Sequence, residues 1–187
     1  MTIIALSLSL AACGSSVSPT PPPSAAQTIG TAIGASAAAT PAWFDIRLTD
    51  VRTGQTFAIS DFAGKVVLVE TMAEWCPTCV EQQREVKKFH DLRAGSSDVV
   101  SVSLDIDVHE DEPSLKEYAA TLGYDWHFAV APLEVARALG NLYSAEYLNP
   151  PYSPILLIDR DGVATSLPYG VKTADYLRTT VEQHLAP

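Results

Sequence analysis

The sequence predicts a mixed α/β fold, a central β-sheet flanked by helices and opened by an N-terminal β-hairpin. Three observations carry that expectation. Val66-Val67-Leu68-Val69 and Ile155-Leu156-Leu157-Ile158 are short, apolar on both faces, and suited to a sheet covered on either side. Segments with helical spacing alternate with such runs. An Asp161-Gly162 turn joins residues 155–158 to 163–167, so the last two strands are antiparallel and the sheet is mixed.

Taken in order, the chain first shows a step in charge. All 12 basic and all 22 acidic residues fall from Asp45 onward. That step separates a targeting and linker segment from a single folded domain. The expected divisions are a signal peptide at 1–12, a flexible tether at 13–42 and the domain at 43–187. The apolar stretch 3–10 is too short to span a bilayer and has the length of a signal-peptide core, although no Lys or Arg precedes it. The tether is Ser, Pro, Thr, Ala and Gly, including Pro21-Pro22-Pro23, and buries too little apolar surface to offset its ordering entropy.

Within the domain, residues 43–48 alternate enough for a strand, and a Thr53-Gly54 turn leads to residues 55–59 as its hairpin partner. Residues 66–69 form a central strand, 79–92 a helix, and 99–104 a second central strand. Pro113 opens the next helix, which places Leu115, Tyr118, Ala119 and Leu122 on one face and stops at Gly123. A short strand at 128–130 precedes a short helix at 132–139 that Gly140 ends. After the 155–167 hairpin, Thr173 caps a last helix carrying Leu177, Val181 and Leu185.

The chemistry gathers at Trp75-Cys76-Pro77-Thr78-Cys79, between a buried strand and a helix start. Unpaired N–H groups and the positive end of the helix dipole stabilise a thiolate on the first cysteine. The second cysteine, on the first turn, can attack a mixed disulfide formed at the first. Half a zinc site fits poorly, because Cys13 is the only other cysteine and the four histidines lack ligand spacing. A purely structural bridge would close too small a loop to restrict the unfolded chain. Glu70, alone in an apolar run, is expected to be buried with a raised pKa. No metal site is expected. The acidic run from Asp105 to Glu112 lacks calcium-loop spacing and reads as a solvated loop, and Trp126 and His127 read as rim packing. The net charge of −10 argues against nucleic acid.

A buried strand, Trp-Cys-x-x-Cys, a helix, and later Ser153-Pro154 ahead of an apolar strand together resemble the thioredoxin fold. Within it the chain is most similar to the TlpA/ResA-like extracytoplasmic thiol-disulfide oxidoreductases. Leu10-Ala11-Ala12-Cys13 resembles the bacterial lipobox. The resemblance implies Cys76 as the exposed nucleophile and Cys79 as the buried resolving thiol. It implies Pro154 as a cis-proline beside the disulfide, Glu70 as the acid that exchanges a proton with Cys79, and a substrate groove lined by Trp75, Pro77, Thr78 and Ser153. It further implies a monomer lipidated at Cys13 and held outside the cytoplasm on a bacterial membrane. That monomer would need no cofactor beyond the Cys76–Cys79 disulfide. Its partners would be protein thiols and disulfides, such as apocytochrome c or other exported proteins, and a membrane thiol-electron donor. Two other functions share the fold. A thiol peroxidase expects Thr three residues and Pro seven residues before its nucleophile, where this chain has Ala73 and Val69. A copper carrier would draw its third ligand from His127 or His109.

Overall fold

The structure, a computed structural model, describes residues 40–185. Cys13, the signal segment and nearly all of the tether lie outside them. Strand β3 (Val66–Met72) lies at the centre of a five-stranded sheet ordered β5-β4-β3-β6-β7. It pairs in parallel with β4 (Val99–Asp105), which pairs in parallel with β5 (His127–Val130). On its other edge it pairs antiparallel with β6 (Ile155–Ile158), which pairs antiparallel with β7 (Ala164–Ser166). A separate two-stranded hairpin, β1 (Leu48–Thr49) with β2 (Thr56–Phe57), precedes it.

Every side chain of β3 is buried, and their period of two divides the core into layers. Val66, Leu68 and Met72 pack with Val86 and Phe89 of α1 (Pro77–Leu92), Leu115 of α2 (Glu112–Leu122), and Leu177 and Val181 of α4 (Ala174–Leu185). Val67 and Val69 pack on the opposite face with Val135 and Leu139 of α3 (Leu133–Leu142). Helix α2 starts with a reciprocal Asp111–Ser114 capping box and stops at Gly123, which is left-handed at φ 69°. Thr173 caps α4, its hydroxyl accepting the Tyr176 N–H at 3.2 Å.

Three local expectations are corrected. Residues 42–45 form a 3-10 turn, and the strand begins only at Leu48. Trp43 and Phe44 are both buried, in edge contact with ring centroids 4.7 Å apart. A strand sends neighbouring side chains to opposite faces, so a turn is needed to bury both on one side. Gly140 does not end α3 but lies inside it. An added Cβ there would stand 2.9 Å from Leu148 Cδ1, so the glycine permits a close approach rather than a stop. Trp126 is in the core with Phe128 and Tyr124, not at the rim.

Leu157 of β6 is fully buried against the cysteine-bearing layer, whereas Leu133 at the start of α3 is 58% exposed. Leu157→Ala is expected to lower the unfolding free energy by about 2–5 kcal/mol. Leu133→Ala should change it by no more than about 0.5 kcal/mol. Urea unfolding of both variants checks the pair.

Candidate active site

The parallel pairing of β3 and β4 carries the chain out at the top of the sheet, where it turns directly into α1. The Cys76 N–H donates to the Ala73 carbonyl at 3.1 Å, closing that turn. Cys76 is then the N-cap of α1, with Pro77 in the first helical turn. Its Sγ accepts the Cys79 N–H at 3.2 Å. A capping sulfur at this position is the atom that the exposed N–H groups stabilise as an anion. Cys76 and Cys79 are joined as a disulfide with Cα atoms 5.3 Å apart.

Both cysteines are buried, which corrects the expectation of an exposed Cys76. The reason is the segment 149–154, laid against the sulfurs. Thr78 donates its hydroxyl proton to the Pro151 carbonyl at 3.2 Å and stands 3.3 Å from Cys76 Sγ. Cys79 Sγ lies 3.4 Å from the Pro150 carbonyl. Pro154 immediately precedes β6, and its carbonyl accepts the Thr71 N–H at 3.4 Å. Among the described residues no peptide bond is cis, so the expected cis-proline is corrected too. The chain instead reverses through the 3-10 turn Pro150–Tyr152 and a left-handed Ser153 at φ 44°. A non-glycine residue held there costs about 1–3 kcal/mol. Backbone contacts hold it: the Ser153 N–H donates to Pro150 at 2.7 Å, and its carbonyl accepts from the Lys172 ammonium.

Glu70 projects from β3 toward the layer that contains the cysteines, in step with Leu68 and Met72. Burial pushes its pKa up to about 8, against the opposing pull of the Ser103 hydroxyl and the Lys172 ammonium. An indole can only donate, so Ser103 Oγ accepts from Trp126 Nε1 at 2.9 Å and turns its own proton to Glu70 Oε2 at 3.1 Å. That fixes Oε2 as an acceptor. Glu70 Oε1 has no partner at hydrogen-bond geometry among the described residues, although the Gln83 amide nitrogen, likewise unpartnered, is near enough to pull the Glu70 pKa down. Lys172 is buried in the loop before α4, its pKa pushed down to about 8 by desolvation and partly restored by Glu70. Its backbone is gripped by Gln82 of α1, which accepts the Lys172 N–H at 2.6 Å and donates to its carbonyl at 3.1 Å.

Thr78 and the Pro150 and Pro151 carbonyls therefore lie against the two sulfurs, while Glu70 is linked to Ser153 through Lys172, and the Pro154 carbonyl bonds to β3. Trp75, next to Cys76, is 57% exposed, its indole donating to Asp107 at 2.6 Å. Ser103, Trp126, Lys172 and Gln82 were not anticipated. The two histidines weighed as copper ligands make other contacts. His127 is 3.2 Å from Asp50 and packs against Phe57 and Phe62, while His109 lies on the loop after β4. The residue three before Cys76 is the buried Ala73, which offers no peroxidase-type hydroxyl.

Comparison with known proteins places this arrangement. The family model described as Redoxin matches residues 35–184. No curated protein sequence matches the chain. Among solved structures it resembles a thioredoxin-family thiol:disulfide interchange protein from Chlorobium tepidum, at 22% identity and TM-score 0.63, over 75% of this chain and 93% of that one. It also resembles a secreted disulfide oxidoreductase of Mycobacterium tuberculosis, at 17% identity and TM-score 0.56, over 75% and 96%. A thiol-disulfide isomerase from Corynebacterium glutamicum matches at 23% identity and TM-score 0.57, over 73% and 90%. At these identities the likeness is one of fold, a thioredoxin-like sheet and helices. The chain belongs to the Redoxin family, with a thioredoxin-like fold that presents a Cys-x-x-Cys disulfide at the start of α1.

Proposed function

We propose that this protein exchanges disulfides with other proteins outside the cytoplasm, tethered to a bacterial membrane through a lipid on Cys13. The observation that carries the redox reading is the capping sulfur of Cys76, bonded to Cys79 and backed by a buried carboxylate whose Oε1 is unpartnered. In the reducing direction the Cys76 thiolate attacks one sulfur of a substrate disulfide. A mixed disulfide forms, and the other substrate sulfur leaves as a thiolate. Glu70 then takes the Cys79 proton, and the Cys79 thiolate attacks Cys76 Sγ. The Cys76–Cys79 disulfide forms, the substrate leaves with two reduced sulfurs, and no organic cofactor takes part. Suitable partners are exported disulfide proteins, apocytochrome c among them, with a membrane dithiol donor to restore the reduced pair. Because Thr78 and segment 149–154 cover the sulfurs in the oxidised chain, a partner must engage that rim, where Trp75 is exposed.

Cys76→Ser is expected to abolish reduction of a model protein disulfide, and Cys79→Ser to accumulate as a mixed disulfide on non-reducing gels. Peroxide turnover that survives Cys79→Ser would overturn disulfide exchange as the function.

Glu70→Gln keeps the shape and removes the base. Resolution is expected to slow about 10²-fold at pH 7 while the first attack changes little, as read by stopped-flow rates for each step. Stability offers a second readout. The folded pKa of Glu70 lies near 8, above its ordinary 4.5, so the folded chain holds that proton more tightly than the unfolded one. Its contribution is fully present below pH 4.5 and is lost as pH rises through 8. Lys172, shifted down from 10.5 to about 8, acts only above that window. Urea unfolding at pH 5 to 8 should therefore show wild-type stability falling with pH more steeply than that of Glu70→Gln.

For the anchor, the full chain expressed with its signal is expected to partition into detergent, and Cys13→Ala to be released or left uncut. A soluble wild type that keeps residues 1–12 would remove the anchor from the reading.

A further inference from the structure

A second constellation lies beside the redox pair and takes no part in the chemistry above. Glu74 immediately precedes Trp75-Cys76. Asp105 closes β4, paired in register with Met72 of β3, and Glu110 lies on the loop that follows. One carboxylate oxygen from each lies within 4.8 Å of the others. We propose that Glu74, Asp105 and Glu110 form a binding site for a calcium-type divalent cation beside Cys76.

The carboxylates are held in place by the chain itself. Asp105 Oδ1 accepts the Asp107 N–H at 2.9 Å, Glu110 Oε2 accepts the Glu74 N–H at 2.8 Å, and Glu74 Oε1 accepts the Ser114 hydroxyl at 2.7 Å. Each bond orients one carboxylate and leaves its second oxygen without a donor from the chain. Asp105 is the independent pointer to a ligand. It is fully buried, and its Oδ2 has no hydrogen-bond partner among the described residues. A buried carboxylate with an unpartnered oxygen, grouped within 4.8 Å of two other carboxylates, needs a positive partner or a proton. No Lys or Arg forms an ion pair with any of the three among the described residues.

The chemistry of the set selects the ion. Oxygen ligands alone favour hard cations over zinc or copper. Calcium binds oxygen at about 2.3–2.6 Å, so two oxygens across one ion stand up to about 5 Å apart. Magnesium, at about 2.0–2.1 Å, spans only about 4.2 Å and tolerates little distortion. Ligands drawn from a strand end and from two loops suit the more flexible coordination that calcium accepts. The position also has a consequence. Glu74 is two residues from Cys76, and its negative charge opposes a thiolate there. A bound dication reverses the sign of that field, favouring the reduced form and raising the potential of the pair. This consequence rests on the thiol-disulfide reading; the binding does not.

The test uses the full chain, oxidised and stripped with a chelator, titrated with calcium chloride at pH 7 by calorimetry. One saturable site with Kd of about 10⁻⁴–10⁻³ M is expected, weaker for magnesium chloride. The thermal midpoint should rise with calcium. Asp105→Asn and Glu110→Gln should each weaken binding at least tenfold. Glu110→Gln, on the loop, serves if Asp105→Asn fails to fold. Calcium should raise the reduction potential of Cys76–Cys79 in the wild type and leave it unchanged in the folded variant. Absence of saturable binding at 10-fold above that Kd range would overturn the site, as would equal affinity in both variants. A midpoint that responds to pH through Asp105 but not to calcium would identify a shared proton in its place. Calcium binding without a change in potential would overturn the redox coupling alone.

Discussion

Strand β3 has a paired strand on each edge and a packed layer on each face, so all seven of its side chains lose contact with water. For the valines, leucine and methionine this is the main source of stability. For Glu70 the same burial is a cost, and it appears as a raised pKa. Desolvation lifts its pKa from the carboxylate range into that of a thiol, where a group can both accept and return a proton near neutral pH. The Trp126–Ser103 chain makes this burial tolerable by satisfying one oxygen. The other oxygen has no partner at hydrogen-bond geometry among the described residues.

The sulfurs sit where two fields oppose each other. The first turn of α1 directs its N–H groups at Cys76, with the Cys79 N–H in direct contact. The three carboxylates at the ends of β3 and β4 work in the other direction, and Asp105 is itself held above the ordinary carboxylate range by burial and by its acidic neighbours. Which field prevails at Cys76 depends on what neutralises those carboxylates.

Segment 149–154 is fixed from several sides. Lys172 reaches from the loop before α4 to the Ser153 and Gly170 carbonyls, and Gln82 of α1 holds the Lys172 backbone. The same ammonium lowers the proton affinity of Glu70. Glu70, segment 149–154 and α1 are thus tied through one buried lysine. Substitution at any of them is felt by the others, as expected of residues that share one polar network.

The order of strands and helices was legible because it is written in local periods and punctuation: apolar runs of strand length, the Asp161-Gly162 turn, and Gly123 at the end of α2. Cys76, Cys79 and Glu70 were legible because rare residue types in a fixed relation to a strand and a helix mark chemistry. Neighbouring rings at Trp43 and Phe44 defeated a period-two reading, and Gly140 passed for a stop because its partner, Leu148, is distant from any local pattern. Lys172, Ser103 and Trp126 come from three different elements, and no spacing along the chain predicts that they meet Glu70. Asp105, read as part of a solvated loop, is instead the last buried residue of β4. The sequence by itself determined the layered α/β architecture and the identity of the redox pair, since both follow from interactions within a few residues. Only the tertiary structure decided which polar groups are buried together, because desolvation and charge act through space between segments far apart in the chain.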